Sequence, residues 1–283
     1  MVIAKISNGL GNQMFQYAAA RAHAARNRTT VRLDLMWFLY NKARKYGLSC
    51  FSLSGSRANL VQILRLRGMT LKDWRQSLTS HRLSGTHYIE RSLSFDPTVL
   101  QLPENIYLQG YFQSELYFID QEQAVRSDFE FRLSLPNSCQ FILAKILSTD
   151  SISMHIRRAD YLTAGLDQYV LSMSYYFCAL EYVCSKLAKP HVFVFSDDPD
   201  WAFANLNLQV PMTIVSNSQM RDYEELQLMS MCKNHIIANS SFSWWGAWLA
   251  SGNEKIVVAP ARWMAEHSVI DSHDLVPTNW TRM

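Results

Sequence analysis

The feature that most restricts how this chain can fold is a regular succession of short apolar runs and longer helical stretches between Phe141 and Ala259. Phe141 to Leu147 predicts a helix, Ile152 to Ile156 a strand, Ser174 to Leu187 a helix and Val192 to Phe195 a strand. A short helix near Asp200 to Asn205 follows, then a strand at Met212 to Val215 and a helix at Met220 to Met231. The series closes with a strand at His235 to Ala238, a helix at Phe242 to Ala250 and a strand at Ile256 to Ala259. Such alternation specifies a parallel sheet covered by helices on both faces. The N-terminus begins the same way, with a strand at Val2 to Ile6, a turn over Ser7 to Asn12, a helix from Gln13 to about Asn27 and a strand at Thr30 to Leu35. Asn12 reads as the N-cap of that helix. The expected fold class is therefore α/β, two Rossmann-like domains facing a cleft. Pro136-Asn137-Ser138 marks the boundary, giving domains of residues 1–136 and 137–283.

A length of 283 residues suits two domains of roughly 100 to 200 residues each. With 48% hydrophobic and 18% charged residues the chain is globular, and extended disorder is excluded. A net charge of +3 without a long basic run argues against nucleic acid as the principal partner, while an anionic small substrate or membrane surface stays compatible. The cysteines Cys50, Cys139, Cys178, Cys184 and Cys232 are scattered and mostly apolar in context, so they read as reduced core residues in a reducing compartment. No leader and no run of about 20 apolar residues is evident, which makes a cytoplasmic location the expectation.

Chemistry concentrates where strands end. Ser151 to Tyr161 reads SISMHIRRADY: the polar and apolar alternation of a half-buried strand, then two arginines, an aspartate and a tyrosine. Ligands of open α/β sheets sit beyond the carboxyl ends of strands. Arg157 there can grip two oxygens of a diphosphate with one planar fork; a surface ion-pair cluster of Arg157, Arg158 and Asp160 is the alternative. Val192 to Phe195 ends at Ser196-Asp197-Asp198-Pro199-Asp200, where a carboxylate can accept from guanine or ribose and where Asp198-Pro199-Asp200 also spells a metal-binding Asp-x-Asp. His235 to Ala238 ends at Asn239-Ser240-Ser241-Phe242-Ser243, whose hydroxyl and amide groups at a helix start can cradle phosphate or simply cap the helix. The three tryptophans Trp244, Trp245 and Trp248 read as packing.

The first half is less legible. Gly9-Leu10-Gly11 lacks the third glycine of a dinucleotide fingerprint, since Met14 stands there, so it reads either as an anion-binding turn or as a tight turn without ligand. Leu60 to Arg67 and Leu71 to Leu78 are short, basic and partly amphipathic, fitting a solvated helix pair better than a membrane-surface segment. Ile106 to Gln109 predicts a strand running into Gly110-Tyr111-Phe112-Gln113-Ser114, followed by Tyr117 and Phe118, aromatic residues of a core or of a sugar platform.

Taken together, Gly9 to Ala18 (GLGNQMFQYA), Gly110 to Phe118 (GYFQSELYF), His155 to Tyr161 (HIRRADY), Phe195 to Pro199 (FSDDP) and Asn239 to Leu249 (NSSFSWWGAWL) resemble the α-1,2-fucosyltransferases. The resemblance implies a GT-B architecture with an N-terminal acceptor domain and a C-terminal GDP-fucose domain. It further implies transfer of fucose to the 2-hydroxyl of a terminal galactose with inversion, no cofactor and no metal. Gly9, Gly11, Asn12, His155, Arg157, Arg158, Ser196, Asp197, Asp198, Ser240, Ser241, Phe242 and Ser243 are then the nucleotide-sugar residues, with Arg157 on the diphosphate and His155 beside the nucleotide. Arg157, His155 and Asp160 are the catalytic candidates, Asp160 as base or as a group orienting the arginines. Asn8 stands where the family's usual GGLGN has its first glycine. The implied partners are GDP-fucose and a galactose-terminated acceptor, on the lipid-linked oligosaccharides of O-antigen or capsule synthesis, with peripheral contact at the inner membrane face. The competing readings are a metal-dependent transferase using Asp198 and Asp200, and a glycan- or nucleotide-binding module without catalysis.

Overall fold

In the computed structural model, which describes residues 1–68, 85–252, 254–264 and 272–283, the chain forms two compact units, Met1–Arg132 and Leu133–Met283. The division falls a few residues before the boundary read from Pro136.

The first unit is a parallel sheet of β1 (Val2–Lys5), β2 (Val31–Asp34), β3 (Ser56–Arg57), β4 (His87–Ile89) and β5 (Ile106–Gln109) in the order β3-β2-β1-β5-β4. Between β1 and β2 runs α1 (Leu10–Arg26). It starts earlier than its sequence pattern suggested, with Gly9 as N-cap, so Asn12 lies inside the first turn and does not cap. The alanines Ala18, Ala19, Ala20, Ala22 and Ala24 are all buried, letting the helix lie close on the sheet. Helix α2 (Trp37–Tyr40) is a single turn, whereas α3 (Leu60–Arg67) opens on a capping box between Asn59 and Gln62 and ends at Gly68 in the left-handed conformation. Ile63, Leu64 and Leu66 of α3 are buried, and Ile63 and Leu66 pack with Ile3 and Tyr107. That corrects the solvated or membrane-facing reading: the apolar face of Leu60 to Arg67 is core. Each such side chain contributes about 1.5–3 kcal/mol by leaving water. Leu71 to Leu78 lies outside the described residues. Helix α4 (Glu122–Asp128) completes the unit.

The second unit is also wholly parallel. Helix α5 (Gln140–Ser148) leads into β6 (Asp150–Ile156); then come α6 (Ala159–Thr163), α7 (Met173–Cys184), β7 (Pro190–Ser196), α8 (Pro199–Asn205), β8 (Met212–Ile214), α9 (Asp222–Met231), β9 (Asn234–Ile236), α10 (Ser241–Leu249), β10 (Val257–Ala259) and β11 (Thr281–Arg282). The order is β11-β10-β9-β6-β7-β8, so strands after β6 run outward on one side and those from β9 on the other. The direction of winding reverses between β6 and β9, which is where open parallel sheets leave a crevice.

Both faces of this sheet are covered. Ile152, Met154, Val192 and Val194 pack under Tyr176, Ala179, Leu180 and Val183 of α7, while Phe193 and Phe195 pack against Ile146 of α5 and Leu228 and Met229 of α9. Strand β6 is therefore not half-buried: Ser151 and Ser153 are wholly buried and His155 is 3% exposed. Its two serines are satisfied inside, Ser153 Oγ lying 3.1 Å from His235 Nδ1 and Ser151 Oγ accepting from Lys233 N at 3.1 Å. A polar–apolar period marks a solvent-facing strand only if the polar side chains lack partners in the neighbouring strand. Trp244, Trp245 and Trp248 form a buried stack on α10, as their spacing predicts. At Gly246 an added Cβ would collide with Met229 Sδ and lie 2.6 Å from its Cγ, so α10 and α9 approach as closely as only glycine permits. None of the five cysteines is in a disulfide; Cys50, Cys139 and Cys232 are core, whereas Cys178 is exposed.

Candidate active site

Strand β6 is central in the second sheet, and the chain leaving it carries Arg157 and Arg158 to its carboxyl end beside the β6/β9 switch. The loop is shaped from the next strand over. Asp197, just past β7, accepts from the backbone N–H of Arg158 at 2.8 Å and of Asp160 at 3.0 Å, and lies 3.4 Å from Arg157 Nε. Asp160 pairs with the Nη2 end of the same guanidinium. Arg157 is thus gripped by two carboxylates and its side chain remains 24% exposed. An arginine held this way keeps a defined orientation at modest entropic cost.

Arg158 turns to the other side. Its Nη1 donates to Asp198 Oδ2 at 2.9 Å and its guanidinium lies 4.7 Å from the centre of the Trp201 ring. Asp198 also caps α8, its Oδ1 accepting from Trp201 N at 3.3 Å. Both aspartates expected to read a nucleoside are thereby engaged in building the loop, and Asp198 is already neutralised by a cation. Ser196 is likewise internal: it is 5% exposed, its N–H donates to Ser216 Oγ at 2.8 Å and its hydroxyl accepts from Asp198 N at 3.0 Å.

On the other side of the switch, Ser240 is the N-cap of α10 and accepts from Phe242 N at 3.3 Å. Ser241 and Phe242 are partly exposed beside it. Ser243, expected in the cradle, is fully buried, and its hydroxyl donates to the carbonyls of Ser240 and Ala238 at 3.3 and 3.5 Å. Asn239, which the sequence reading passed over, ties the two strand ends together. Its carbonyl accepts from Tyr161 Oη at 2.8 Å and its Nδ2 donates to Tyr169 O at 3.0 Å and Trp263 O at 3.3 Å.

Two buried polar atoms beside this switch point have no partner among the described residues, His155 Nδ1 at the end of β6 and Asn239 Oδ1 beyond β9. Leaving such an atom unsatisfied costs about 1–3 kcal/mol, which makes both positions markers of a ligand site. Burial, with repulsion from Arg157 second, pushes the His155 imidazole down to about 3, so the ring is neutral. A neutral ring there is able to donate or accept a hydrogen bond. Phe242 sits against it, ring centres 5.9 Å apart.

The carboxyl edge of the first sheet is organised differently. Asn8, the residue in place of a glycine, has φ +66°, a left-handed conformation that asparagine tolerates better than most side chains. Gln13, fully buried, braces it by donating to the carbonyls of Asn8 and Lys45 at 2.7 and 2.9 Å and accepting from Gly47 N at 2.9 Å. Gln16 accepts from Ser7 N at 2.8 Å, and Asn12 Oδ1 accepts from Gln113 at 2.6 Å. A Cβ at Gly9 would meet nothing, while Gly11 is buried inside α1. Beyond β4 and β5, Glu90 accepts from the amides of Tyr111 and Phe112 at 2.5 and 2.9 Å, and a Cβ on Gly110 would strike Glu90. Phe112, at φ +54°, Tyr117 and Phe118 are core aromatics; Tyr111 is 38% exposed, its hydroxyl accepting from Asn8 Nδ2. Among the described residues no group of three or more His, Cys, Asp or Glu is arranged to hold a metal ion, and no helix is long and apolar enough to cross a membrane.

A family model described as glycosyl transferase family 11 matches residues 1–283. The alpha-1,2-colitosyltransferase of Escherichia coli is 30% identical over 298 residues, covering 100% of this chain and 99% of that protein. The O-antigen biosynthesis glycosyltransferase WbnK of Escherichia coli is 33% identical over 285 residues, covering 92% and 94%. Galactoside alpha-(1,2)-fucosyltransferase 1 of Leontocebus fuscicollis is 22% identical, covering 86% of this chain and 64% of that one. In structure, the chain resembles the fucosyltransferase NodZ from Bradyrhizobium, with a TM-score of 0.53 at 13% identity over 88% of this chain and 93% of that one. POFUT1 in complex with GDP gives a TM-score of 0.51 at 11% identity over 91% and 97%. At such identity these likenesses establish the GT-B-type fold.

Proposed function

The chain belongs to glycosyltransferase family 11, and on that premise we propose that it transfers L-fucose from GDP-fucose to the 2-hydroxyl of a terminal galactose, with inversion. The second unit takes the nucleotide sugar and the first takes the acceptor glycan. The observation that carries this reading is the Arg157 fork at the carboxyl end of the central strand, beside the switch point and held by Asp160 and Asp197. As the bond from the anomeric carbon to the diphosphate breaks, the sugar gains oxocarbenium character and negative charge builds on the departing phosphate. A fixed cation facing that charge lowers the barrier, and one already oriented needs no reorganisation at the moment of reaction. Asp160 and Asp197 orient it. With His155 neutral and Asp160 paired to Arg157, the acceptor proton leaves late, to solvent or to the departing phosphate.

This chemistry asks for no metal or cofactor. The rival Asp-x-Asp site is disfavoured because Asp198 is salt-bridged to Arg158 and caps α8, which leaves Asp200 on its own. A second reading of the donor is favoured by the colitosyltransferase relative. Colitose is fucose without its 3-hydroxyl, so one diphosphate grip serves either sugar. The deciding experiment offers GDP-fucose and GDP-colitose with a panel of β1,3- and β1,4-linked galactosides and determines product linkage by mass spectrometry, with and without chelator. An α-1,2-fucosylated galactoside formed in chelator is expected. Activity that disappears with chelator and returns with manganese, or GDP uptake with no product from any donor, overturns it.

A further inference from the structure

We infer that Asn239 is a ligand-binding residue whose carboxamide oxygen accepts a hydrogen bond from a hydroxyl flanking the diphosphate, on the transferred sugar or on the ribose. The inference rests on reading the second unit as the nucleotide-sugar site. Asn239 is 6% exposed and its amide orientation is fixed from one side, because two carbonyls, those of Tyr169 and Trp263, require the NH₂ group. The remaining terminal atom is then the oxygen, directed away from those carbonyls and without a partner. A diphosphate cannot satisfy it, since ionised phosphate oxygens only accept. What it needs is an O–H, and the groups that bring one next to a diphosphate are the sugar on one side and the ribose on the other.

The position matches. Asn239 ends the β9 side of the crevice, and its own carbonyl is bound by Tyr161, four residues after Arg157. Between Tyr161 and Tyr169 the chain is exposed from 162 to 168 and turns at Gly165 with φ +67°. Both ends of this stretch are tied to the one asparagine. Opposite lies His155 with its own unpartnered Nδ1.

The test measures binding of GDP, 2′-deoxy-GDP and 3′-deoxy-GDP by calorimetry, and kcat/KM for GDP-fucose and its 2-, 3- and 4-deoxy-sugar analogues, in the native chain and in Asn239→Ala. The native chain is expected to lose about tenfold with one deoxy analogue, and Asn239→Ala to lose about tenfold with the parent ligand but nothing more with that analogue. Coupling to a sugar hydroxyl leaves GDP affinity unchanged; coupling to the ribose shows already in GDP. Either outcome supports the inference. Native binding indifferent to every deoxy substitution, or equal analogue penalties in both proteins, overturns it, and the first of these needs no variant that folds. Failure of the native chain to bind GDP at all would instead refute the proposed function.

Discussion

Both units are built on a parallel sheet, wound outward on both sides of the centre in the second and on one side only in the first, and their carboxyl edges are finished differently. In the first, polar groups close on one another: Gln13 holds three backbone groups, Glu90 two, and Asp34 accepts from Met36 N and Tyr107 Oη. In the second, Arg157 and Arg158 stand beyond the central strand and, among the described residues, His155 Nδ1 and Asn239 Oδ1 at the switch point lack partners; the first unit has unpartnered buried atoms too, Arg67 Nε among them, but without such a switch-point pair of arginines. Bonds closed within the fold serve stability, whereas unpartnered buried atoms beside fixed cations at a switch point anticipate a ligand. Substitutions at the first edge should move stability and those at the second should move turnover.

The largest effect is expected from Arg157→Ala, a loss of at least about 100-fold in kcat with an unchanged melting temperature, measured by initial rates and thermal unfolding. Near-normal turnover by the folded variant would break the comparison. Asp197→Ala should approach that loss while also lowering the melting temperature. It removes the acceptor of two loop amides, and charge-assisted bonds of this kind contribute about 1.5–3 kcal/mol each.

Acidification should act mainly on the second unit. His155 and His235 are both pushed down to about 3 by burial, with nearby Arg157 and Lys255 adding repulsion. Each binds a proton more readily unfolded, near 6.5, than folded. Their contribution is therefore complete above about pH 6.5 and is lost as pH falls toward 3. Six of the eight tryptophans lie in residues 133–283, so fluorescence-detected melts from pH 7 to 4 read that unit; a melt independent of pH sinks this prediction.

In the first unit, Gly110→Ala drives a methyl group into Glu90 and should cost about 1–3 kcal/mol in denaturant titration while leaving GDP affinity intact. The smallest change is expected from Asn8→Gly. The backbone already occupies the left-handed region there, so stability should stay within about 1 kcal/mol, and a larger loss would assign the Asn8 side chain more than a turn-forming part.

How much of this was readable in advance follows from what each pattern encodes. Long periodic elements such as α1, α7 and β7 were visible because apolar spacing reports burial directly. The short strands β3, β4 and β11 carry two or three residues each, too few to show a period. Arg157 stood out because a charge after a buried strand is unusual. Asn239 did not, since an asparagine before a serine reads as a cap until its partners are known. Ser243 and Ser196 looked like ligand groups for the same reason: a hydroxyl in sequence does not reveal which carbonyl or amide it already serves. The orphaned carboxamide oxygen is a property of the assembled fold alone.

Gly246 has a reach beyond its own contacts. It lets α10 nest on Met229, and the far end of that helix is the cap beside the crevice. A bulkier residue here would first have to displace the Met229 thioether, so the seat of the helix that carries the Ser240 cap is shared between one missing side chain and one flexible one.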